Sequence, residues 1–227
     1  MIASEPDSLE IRVTGIAPKG AWLGAEKGIN LPDTDLDLPA MTEEDRRVLP
    51  FIVEHADAVD LSFVRSAGDI QDLRQELARL GHPEFPIIAK LETMPAFRNL
   101  PDILIAGMAS PHLGVMIARG DLAVEAGYVR MGEIQEEIMW ICEAAHVPVI
   151  WATQVLEDLA KAGRPARAEV TDAAMSGRAE CVMLNKGPFI PTAIRFLDDM
   201  LTRMEGHQDK KSSLLRRLRL SGRGTDL

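Results

Sequence analysis

The sequence predicts an α/β fold in which parallel strands alternate with helices. Short apolar runs recur roughly every 30 residues, which is the length of one βα unit with short loops. The runs are continuous, as expected for parallel strands that are covered on both faces. A helical pattern of apolar residues follows each run. Five such units lie between residues 58 and 204.

A segment of different character precedes these units. Residues 8–32 alternate short apolar runs with glycine and proline, a pattern that predicts strands and turns without a helix. The segment is too short to fold alone, so we expect it to be the end of a larger β-rich cap domain. Thr42 is predicted to cap the helix that follows, because the acids of TEED fall in its first turn.

The elements of the five units can be assigned in order. The predicted strands are the apolar runs at residues 58–63, 87–91, 115–118, 148–152 and 181–184. The predicted helices are one through Leu73, Leu77 and Leu80 that ends at Gly81, then residues 96–109, 131–145, 154–162 with 167–178, and 188–204. Pro101 predicts an interruption or a fresh start within the second helix.

Polar residues at the strand ends favour a (β/α)8 barrel of the TIM type over a doubly wound sheet. Such residues follow every predicted strand: Ser62 and Arg65, Lys90 and Glu92, Arg119 and Asp121, Thr153, and Asn185 and Lys186. A dinucleotide-binding sheet would instead carry a GxGxxG turn, which the sequence lacks. Five units do not close a barrel of eight. We therefore predict the end of a β cap at residues 1–32, an incomplete barrel at 33–206 and a basic tail at 207–227.

Lys90, Glu92 and Asp121 predict an ion-binding site at two of these strand ends. Lys90 and Glu92 are two residues apart, so their side chains leave a strand on the same face. Asp121 follows the next strand, in VMIARGDLAVE. Two carboxylates beside a cation suit one Mg²⁺ and an anionic substrate rich in oxygen. Either segment alone is equally explained by solvated charges at a strand end.

Composition excludes several classes of protein. The formal net charge of −10 at pH 7 argues against nucleic-acid binding. No apolar run approaches the ~20 residues that span a bilayer, and the N-terminus lacks a signal pattern. We therefore predict a cytoplasmic protein with Cys142 and Cys181 as buried, reduced thiols. Residues 210–223 are basic, and suggest either an amphipathic helix or a frayed terminus.

Several motifs, in one order along the chain, resemble those of the pyruvate kinase family. They run from about Gly15 to Met204 and include LGAEKGINLPD, LDLPAMTEED, LSFVRSAGDI, IIAKLET, VMIARGDLAVE, PVIWATQVLE and RPARAEVTDAA. The resemblance implies a (β/α)8 barrel interrupted by a small β cap. It also implies transfer of a phosphoryl group from phosphoenolpyruvate to ADP, which yields pyruvate and ATP, with Mg²⁺ or Mn²⁺ and usually K⁺.

The resemblance assigns roles to individual residues. Glu92 and Asp121 would be the ligands of Mg²⁺. Lys90 would stand beside the transferring phosphoryl group, where charge spreads over the equatorial oxygens. Thr153 would lie over the enolate carbon and help to protonate it. The alternative interpretation of Thr153 is a cap for the helix predicted from residue 154.

The resemblance also implies binding residues. For the substrate these are Ser62, Arg119, Gly120 and Asp121, with the backbone N–H groups of the RGD turn holding the substrate carboxylate, and for the nucleotide phosphates Lys27. Lys27 is otherwise a solvated loop lysine. Glu169 and Asp172 fall in the first turn of a helix, where we expect them to interact with the helix dipole rather than with a ligand.

The sequence also departs from the family. It starts at the end of the cap, so three barrel strands, an arginine for the phosphoryl group and most K⁺ ligands are expected outside it. A homo-oligomer or completion by another chain would supply them. The family usually has Ser-Gly-Glu where this chain has residues 185–187, so its adenine and ribose contacts are not expected to carry over. Two alternatives remain: a metal-dependent lyase or aldolase acting through a pyruvate enolate, and a non-catalytic fragment or paralogue.

Overall fold

The structure is a computed structural model that describes residues 2–15, 20, 24, 29–32, 34, 36 and 38–208. The chain divides into two compact units, Met1–Asn30 and Leu31–Leu227. In the first unit, β1 (Ala3–Glu5) and β2 (Ser8–Glu10) form an antiparallel hairpin whose turn contains a proline and an aspartate. The described residues of this unit contain no helix. The predicted nucleotide ligand Lys27 and the basic tail from residue 209 onward lie outside the described residues.

The second unit holds a parallel sheet of five strands in sequence order. The strands are β3 (Val59–Leu61), β4 (Ile87–Leu91), β5 (Leu113–Ala118), β6 (Val149–Val155) and β7 (Cys181–Leu184). The helices are α1 (Glu43–His55), α2 (Ala67–Arg79), α3 (Met94–Arg98), α4 (Leu100–Gly107), α5 (Arg119–Ala126), α6 (Tyr128–Ala144), α7 (Glu157–Ala162), α8 (Arg167–Met175) and α9 (Ile190–Gln208). The predicted α/β fold with parallel strands is confirmed. Within the described part of the chain the sheet is open, with β3 and β7 at its edges.

Local sequence signals account for several helix ends. The Asp45 backbone N–H donates to Thr42 Oγ1 at 3.2 Å, while the Thr42 N–H donates to the Asp45 carboxylate at 2.7 Å, so the predicted cap of α1 is confirmed. After α2 the chain turns at Gly81, whose φ is +85°. Pro101 lies in the first turn of α4 and separates it from α3, as its fixed φ and missing N–H require.

The helices cover one face of the sheet more completely than the other. The residues of β4 to β6 that are almost fully buried include Ile87, Ala89, Leu91, Val115, Ile117, Val149 and Trp151. These alternate with residues of the opposite face, where Ile88, Gly114 and Ile150 are half-buried and Met116, Ala118 and Ala152 are buried. The expectation that both faces are covered is therefore met fully on one face only, in the region that the structure describes.

Strand β6 extends further than the sequence indicated. It continues to Val155, and α7 begins at Glu157 instead of residue 154. Gln154 and Leu156 have φ values of +57° and +50°, in the left-handed region, so the chain cannot enter a right-handed helix there. Thr153 therefore lies within a strand, and the interpretation that it caps a helix is wrong.

The two cysteines differ in their surroundings. Both are free thiols, and Cys142 on α6 is buried as predicted. Cys181 is exposed, because it begins β7 at the edge of the sheet. The prediction of two buried thiols is wrong for Cys181. None of the described helices is long and apolar enough to cross a membrane.

We expect iodoacetamide to modify Cys181 much faster than Cys142 in the native chain. Burial, reinforced by nearby Glu180, raises the pKa of the Cys142 thiol to about 12. At about pH 8 its reactive thiolate fraction is therefore on the order of 10⁻⁴. Peptide mass spectrometry over time gives both rates, with the urea-denatured chain as the control in which both cysteines react. Equal native rates would contradict the buried position of Cys142.

Candidate functional site

The polar residues that follow successive strands lie at one end of the sheet, where its parallel strands finish. Ser62 directly follows β3, Lys90 lies in β4 with Glu92 just after it, α5 starts immediately after β5, and Thr153 lies in the last part of β6. The carboxyl ends of parallel strands lie at the same end of the sheet, where loops and helix starts bring side chains from different strands together. The carboxyl ends of the strands form the candidate site.

Lys90 and Glu92 form an ion pair, as their spacing along the strand suggests. Lys90 Nζ lies 3.2 Å from Glu92 Oε1 and donates a hydrogen bond of 2.8 Å to Ser62 Oγ. The other Glu92 oxygen accepts a 2.6 Å hydrogen bond from the backbone N–H of Phe63. Glu92 is 3% exposed, whereas the Lys90 side chain is 23% exposed. The buried carboxylate is thus compensated by an ammonium and an amide, and the ammonium reaches towards solvent.

Phe63 has a backbone conformation that is unusual for a large side chain. Its φ is +53°, in the left-handed region, and such a residue costs about 1–3 kcal/mol that the surrounding structure must offset. The N–H of this same residue is the one that donates to Glu92. The charge-assisted hydrogen bond to a buried carboxylate therefore helps to hold the strained turn after β3.

Arg119 connects the start of α5 to β6 and α8. Its Nε donates to the carbonyl of Ala152 at 2.7 Å, and its Nη2 donates to the carbonyl of Thr153 at 2.7 Å. Nη2 also donates to Asp172 Oδ2 at 2.9 Å, while Nη1 donates to Asp172 Oδ1. The guanidinium lies 4.5 Å from the ring centroid of Trp151. Asp172 is therefore an ion-pair partner of Arg119, and because it lies beyond the first turn of α8, the expectation that it interacts with the helix dipole there is wrong.

Gly120 and Thr153 lie in direct contact. The backbone N–H of Gly120 donates to Thr153 Oγ1 at 3.1 Å. A Cβ at position 120 would lie only 3.1 Å from the same oxygen, so glycine permits the close approach. Asp121 is half-buried in the next position of the helix. The first turn of α5 thus places the Gly120 amide beside the Thr153 hydroxyl, with Asp121 at the next position of the helix.

Glu92 and Asp121 are the carboxylates that could hold a divalent metal ion. They follow β4 and β5, which are neighbours in the sheet. Mg²⁺ commonly takes one or two carboxylates and completes its coordination with water and substrate oxygens. Each Glu92 oxygen has a further lone pair besides the bond that it already makes. No group of three or more metal-binding side chains occurs among the residues described. The donor set fits Mg²⁺ or Mn²⁺.

The turn after β7 is explained by packing. Asn185 Nδ2 donates to Glu157 Oε1 at 3.1 Å, and a Cβ at Gly187 would overlap the carbonyl oxygen of Ala160. The hydrogen bond from Lys161 is the main cause that lowers the pKa of the Glu157 carboxyl. These contacts tie the turn to α7, and they account for Asn185 and Gly187 without a ligand.

Sequence reasoning missed part of the support of the site. Phe63 contributes through its backbone N–H, which its residue type does not reveal. In the sequence Trp151 is an ordinary apolar strand residue, and only the structure shows the guanidinium of Arg119 next to its ring. Asp172 is 53 positions from Arg119, and no local pattern connects the two. The available signal was an acid predicted in the first turn of a helix, and it suggested an interaction with the helix dipole.

Comparison with known proteins places the chain in a family. The model described as pyruvate kinase, barrel domain, matches residues 2–188. A pyruvate kinase from Hypocrea jecorina is 39% identical over 184 residues, which are 80% of this chain and 32% of that protein. The human pyruvate kinase PKLR is 38% identical over 183 residues, 78% of this chain and 31% of that protein. A pyruvate kinase from Kluyveromyces lactis is 40% identical over 164 residues, 71% and 32% of the two chains.

The match to the family model covers all five strands of the described sheet and every described residue of the candidate site. The chain spans about a third of the length of the curated relatives it matches. The family model and the relatives agree with each other and with the motifs that the sequence carries. The chain therefore belongs to the pyruvate kinase family.

Proposed function

We propose that this chain carries the metal-binding and enolate-handling part of a pyruvate kinase site, which transfers a phosphoryl group from phosphoenolpyruvate to ADP. The observation that carries the proposal is the placement of these groups at the carboxyl ends of the strands. Lys90 and Glu92 form an ion pair at the end of β4, and Thr153 contacts the first turn of α5. Family membership supports this reaction class for the cluster.

The substrate carboxylate is proposed to bind at the first turn of α5. This turn is the positive end of the helix, where anions are favoured, and the carboxylate would lie beside the Gly120 N–H that donates to Thr153 Oγ1. Lys90 is proposed to face the transferring phosphoryl oxygens with its ammonium. Ser62 accepts a hydrogen bond from Lys90 and thereby orients the ammonium. Lys27, outside the described residues, is proposed to lie near the nucleotide phosphates.

Mg²⁺ or Mn²⁺ held by Glu92 and Asp121 would supply positive charge against the carboxylate and phosphate oxygens of the substrate. The Lys90 ammonium lies 3.2 Å from Glu92, on the same side of the strand. Lys90 therefore adds a second positive charge close to the same oxygens. For the K⁺ that the family resemblance implies, we propose no ligand among the described residues.

Thr153 is proposed to help protonate the enolate carbon. Its hydroxyl oxygen already accepts from the Gly120 N–H, so its own proton remains available to donate. With the substrate carboxylate at the first turn of α5, this hydroxyl would lie close enough to the enolate to transfer a proton. Phosphoryl transfer and enolate protonation would thus use groups on β4 and β6, the two strands that flank β5.

The open sheet bears on the partners of this chain. Strands β3 and β7 present unpaired edges within the described region, and edges of this kind readily accept another strand. We propose that further strands complete a (β/α)8 barrel, supplied by a longer protein, by a second copy or by another chain. The β hairpin of the first unit would then belong to the cap of that barrel.

We expect Glu92→Gln and Asp121→Asn each to weaken Mn²⁺ binding at least about tenfold, because each removes one of two charged ligands. Isothermal titration of the purified chain with Mn²⁺ measures the loss. Glu180→Gln is the matched control, since Glu180 accepts a hydrogen bond from the Val149 N–H at the amino ends of the strands, away from the candidate site. Titrations that stay unchanged in both variants would remove the metal from the proposal.

A second candidate function is that of a lyase or aldolase acting through a pyruvate enolate. The observation in its favour is that Lys90, Glu92 and Thr153 would all serve the enolate, and none of them requires a nucleotide. A coupled assay for ATP formation separates the two functions, because the lyase would release or condense pyruvate without consuming ADP.

A further inference from the structure

We propose that Asp172 is a positioning residue that holds the Thr153 hydroxyl in place through Arg119. This inference rests on the proposed role of Thr153 and adds to it a residue from a different helix. It also gives Arg119 a role distinct from binding substrate.

The guanidinium of Arg119 holds three consecutive residues of β6. It lies against the ring of Trp151, and it donates to the carbonyls of Ala152 and Thr153, each at 2.7 Å. A planar guanidinium fork with several fixed donors can bind two successive carbonyls in one defined geometry, whereas the rotating ammonium of a lysine does not fix that geometry. The peptide unit that carries Thr153 is therefore located by Arg119.

Asp172 holds the opposite side of the same guanidinium. Its two oxygens accept from Nη1 and Nη2, an arrangement that fixes both the position and the plane of the fork. The Arg119 side chain is 13% exposed, so water does little to compensate its charge. Without the carboxylate, the cost of burying the cation favours a rotamer in which the guanidinium moves towards solvent and no longer donates to the two carbonyls.

These bonds leave Arg119 little capacity for a ligand. A guanidinium has five N–H donors, and the structure gives Arg119 four hydrogen bonds, two to β6 carbonyls and two to Asp172. Its flat face lies on Trp151. Substrate contact at this turn therefore falls to the neighbouring backbone and to Asp121, while Arg119 acts on the position of Thr153.

The backbone directly after Thr153 needs such an anchor. Gln154 and Leu156 both adopt the left-handed region, which non-glycine residues rarely populate. A strained segment persists only when the surrounding contacts hold it. The Arg119 bonds are made to the two residues immediately before this segment. If the fork loses its orientation, the segment is free to relax and Thr153 Oγ1 moves away from the Gly120 N–H.

The experiment uses the full chain with threonine methyl groups labelled for NMR. Asp172→Asn keeps the size of the side chain but removes its charge, and we expect it to shift the Thr153 methyl and Gly120 amide resonances. The matched control is Glu136→Gln, because Glu136 forms a comparable ion pair with Arg178 that also joins two distant segments. We expect this control to leave both resonances in place, and Asp172→Glu to restore them at least in part.

Exchange of pyruvate methyl protons in D₂O provides a second readout. We expect Asp172→Asn to lower the exchange rate at saturating pyruvate by about 10- to 100-fold, because a misplaced proton donor mainly affects the chemical step. The KM for pyruvate and the affinity for Mn²⁺ should change little, since Gly120, Asp121 and Glu92 are untouched. A general loss of structure would instead alter all three quantities.

The outcomes separate this inference from the proposed function. Unmoved Thr153 and Gly120 resonances in folded Asp172→Asn would overturn the inference, as would equal shifts in the Glu136→Gln control. A wild-type chain that shows no exchange would count against the proposed enolate chemistry, while the resonances still decide the role of Asp172. If Asp172→Asn does not fold, Arg119→Lys keeps the positive charge but gives up the double grip, and the same shifts are expected in it.

Discussion

Lys90→Met is expected to lower the free energy of unfolding of the metal-free chain by about 3 kcal/mol. The variant leaves Glu92, which is 3% exposed, with the hydrogen bond from the Phe63 N–H but without the ammonium at 3.2 Å. A buried carboxylate that loses its cation keeps the full cost of its desolvation. Urea unfolding monitored by circular dichroism measures the change.

The double variant Lys90→Met with Glu92→Gln is the control for this effect. It removes both charges together, so it should recover most of the stability that the single variant loses. Mn²⁺ should also stabilise Lys90→Met more than the wild type, because a bound cation near Glu92 replaces the missing ammonium. A single variant as stable as the wild type would show that Glu92 does not depend on Lys90.

Thr153→Ala is expected to slow the exchange of pyruvate methyl protons by about 10²–10³, the usual range for removal of one positioned catalytic group. The Thr153 hydroxyl lies 3.1 Å from the Gly120 N–H, at the edge of the proposed carboxylate site. Its removal takes away the proton donor and leaves the metal carboxylates intact. Proton NMR of pyruvate in D₂O with Mg²⁺ measures the exchange rate, and titration with Mn²⁺ measures metal affinity in the same samples.

Two further substitutions make this test specific to the hydroxyl. Thr153→Ser keeps the hydroxyl and should retain most of the exchange, whereas Thr153→Val keeps the shape and should lose it like the alanine variant. Mn²⁺ affinity should stay within about twofold in all three, because Thr153 is not a proposed ligand. Full exchange in Thr153→Val would remove Thr153 from the chemistry and leave it a role in packing.

Much of the fold could be predicted because its signals are local. Strand β4 has the predicted bounds, Ile87–Leu91, since proline and an apolar run mark its start and charged residues mark its end. The cap at Thr42 depends on residues three positions apart. Lys90 and Glu92 meet because a strand has a period of two, a property of the backbone that requires no knowledge of the rest of the fold.

By itself, the sequence determined the alternation of strands and helices, the strand ends that carry polar residues and the resemblance to a family. Only the tertiary structure decided which of those residues support one another. Arg119 meets Asp172 across 53 positions, Thr153 stays in a strand because the residues around it turn left-handed, and Cys181 is exposed because β7 is an edge. The physical reason is the distance along the sequence over which each interaction acts. Periodicity and capping depend on residues a few positions apart, whereas the partners of a guanidinium are the side chains that packing of the helices places next to it.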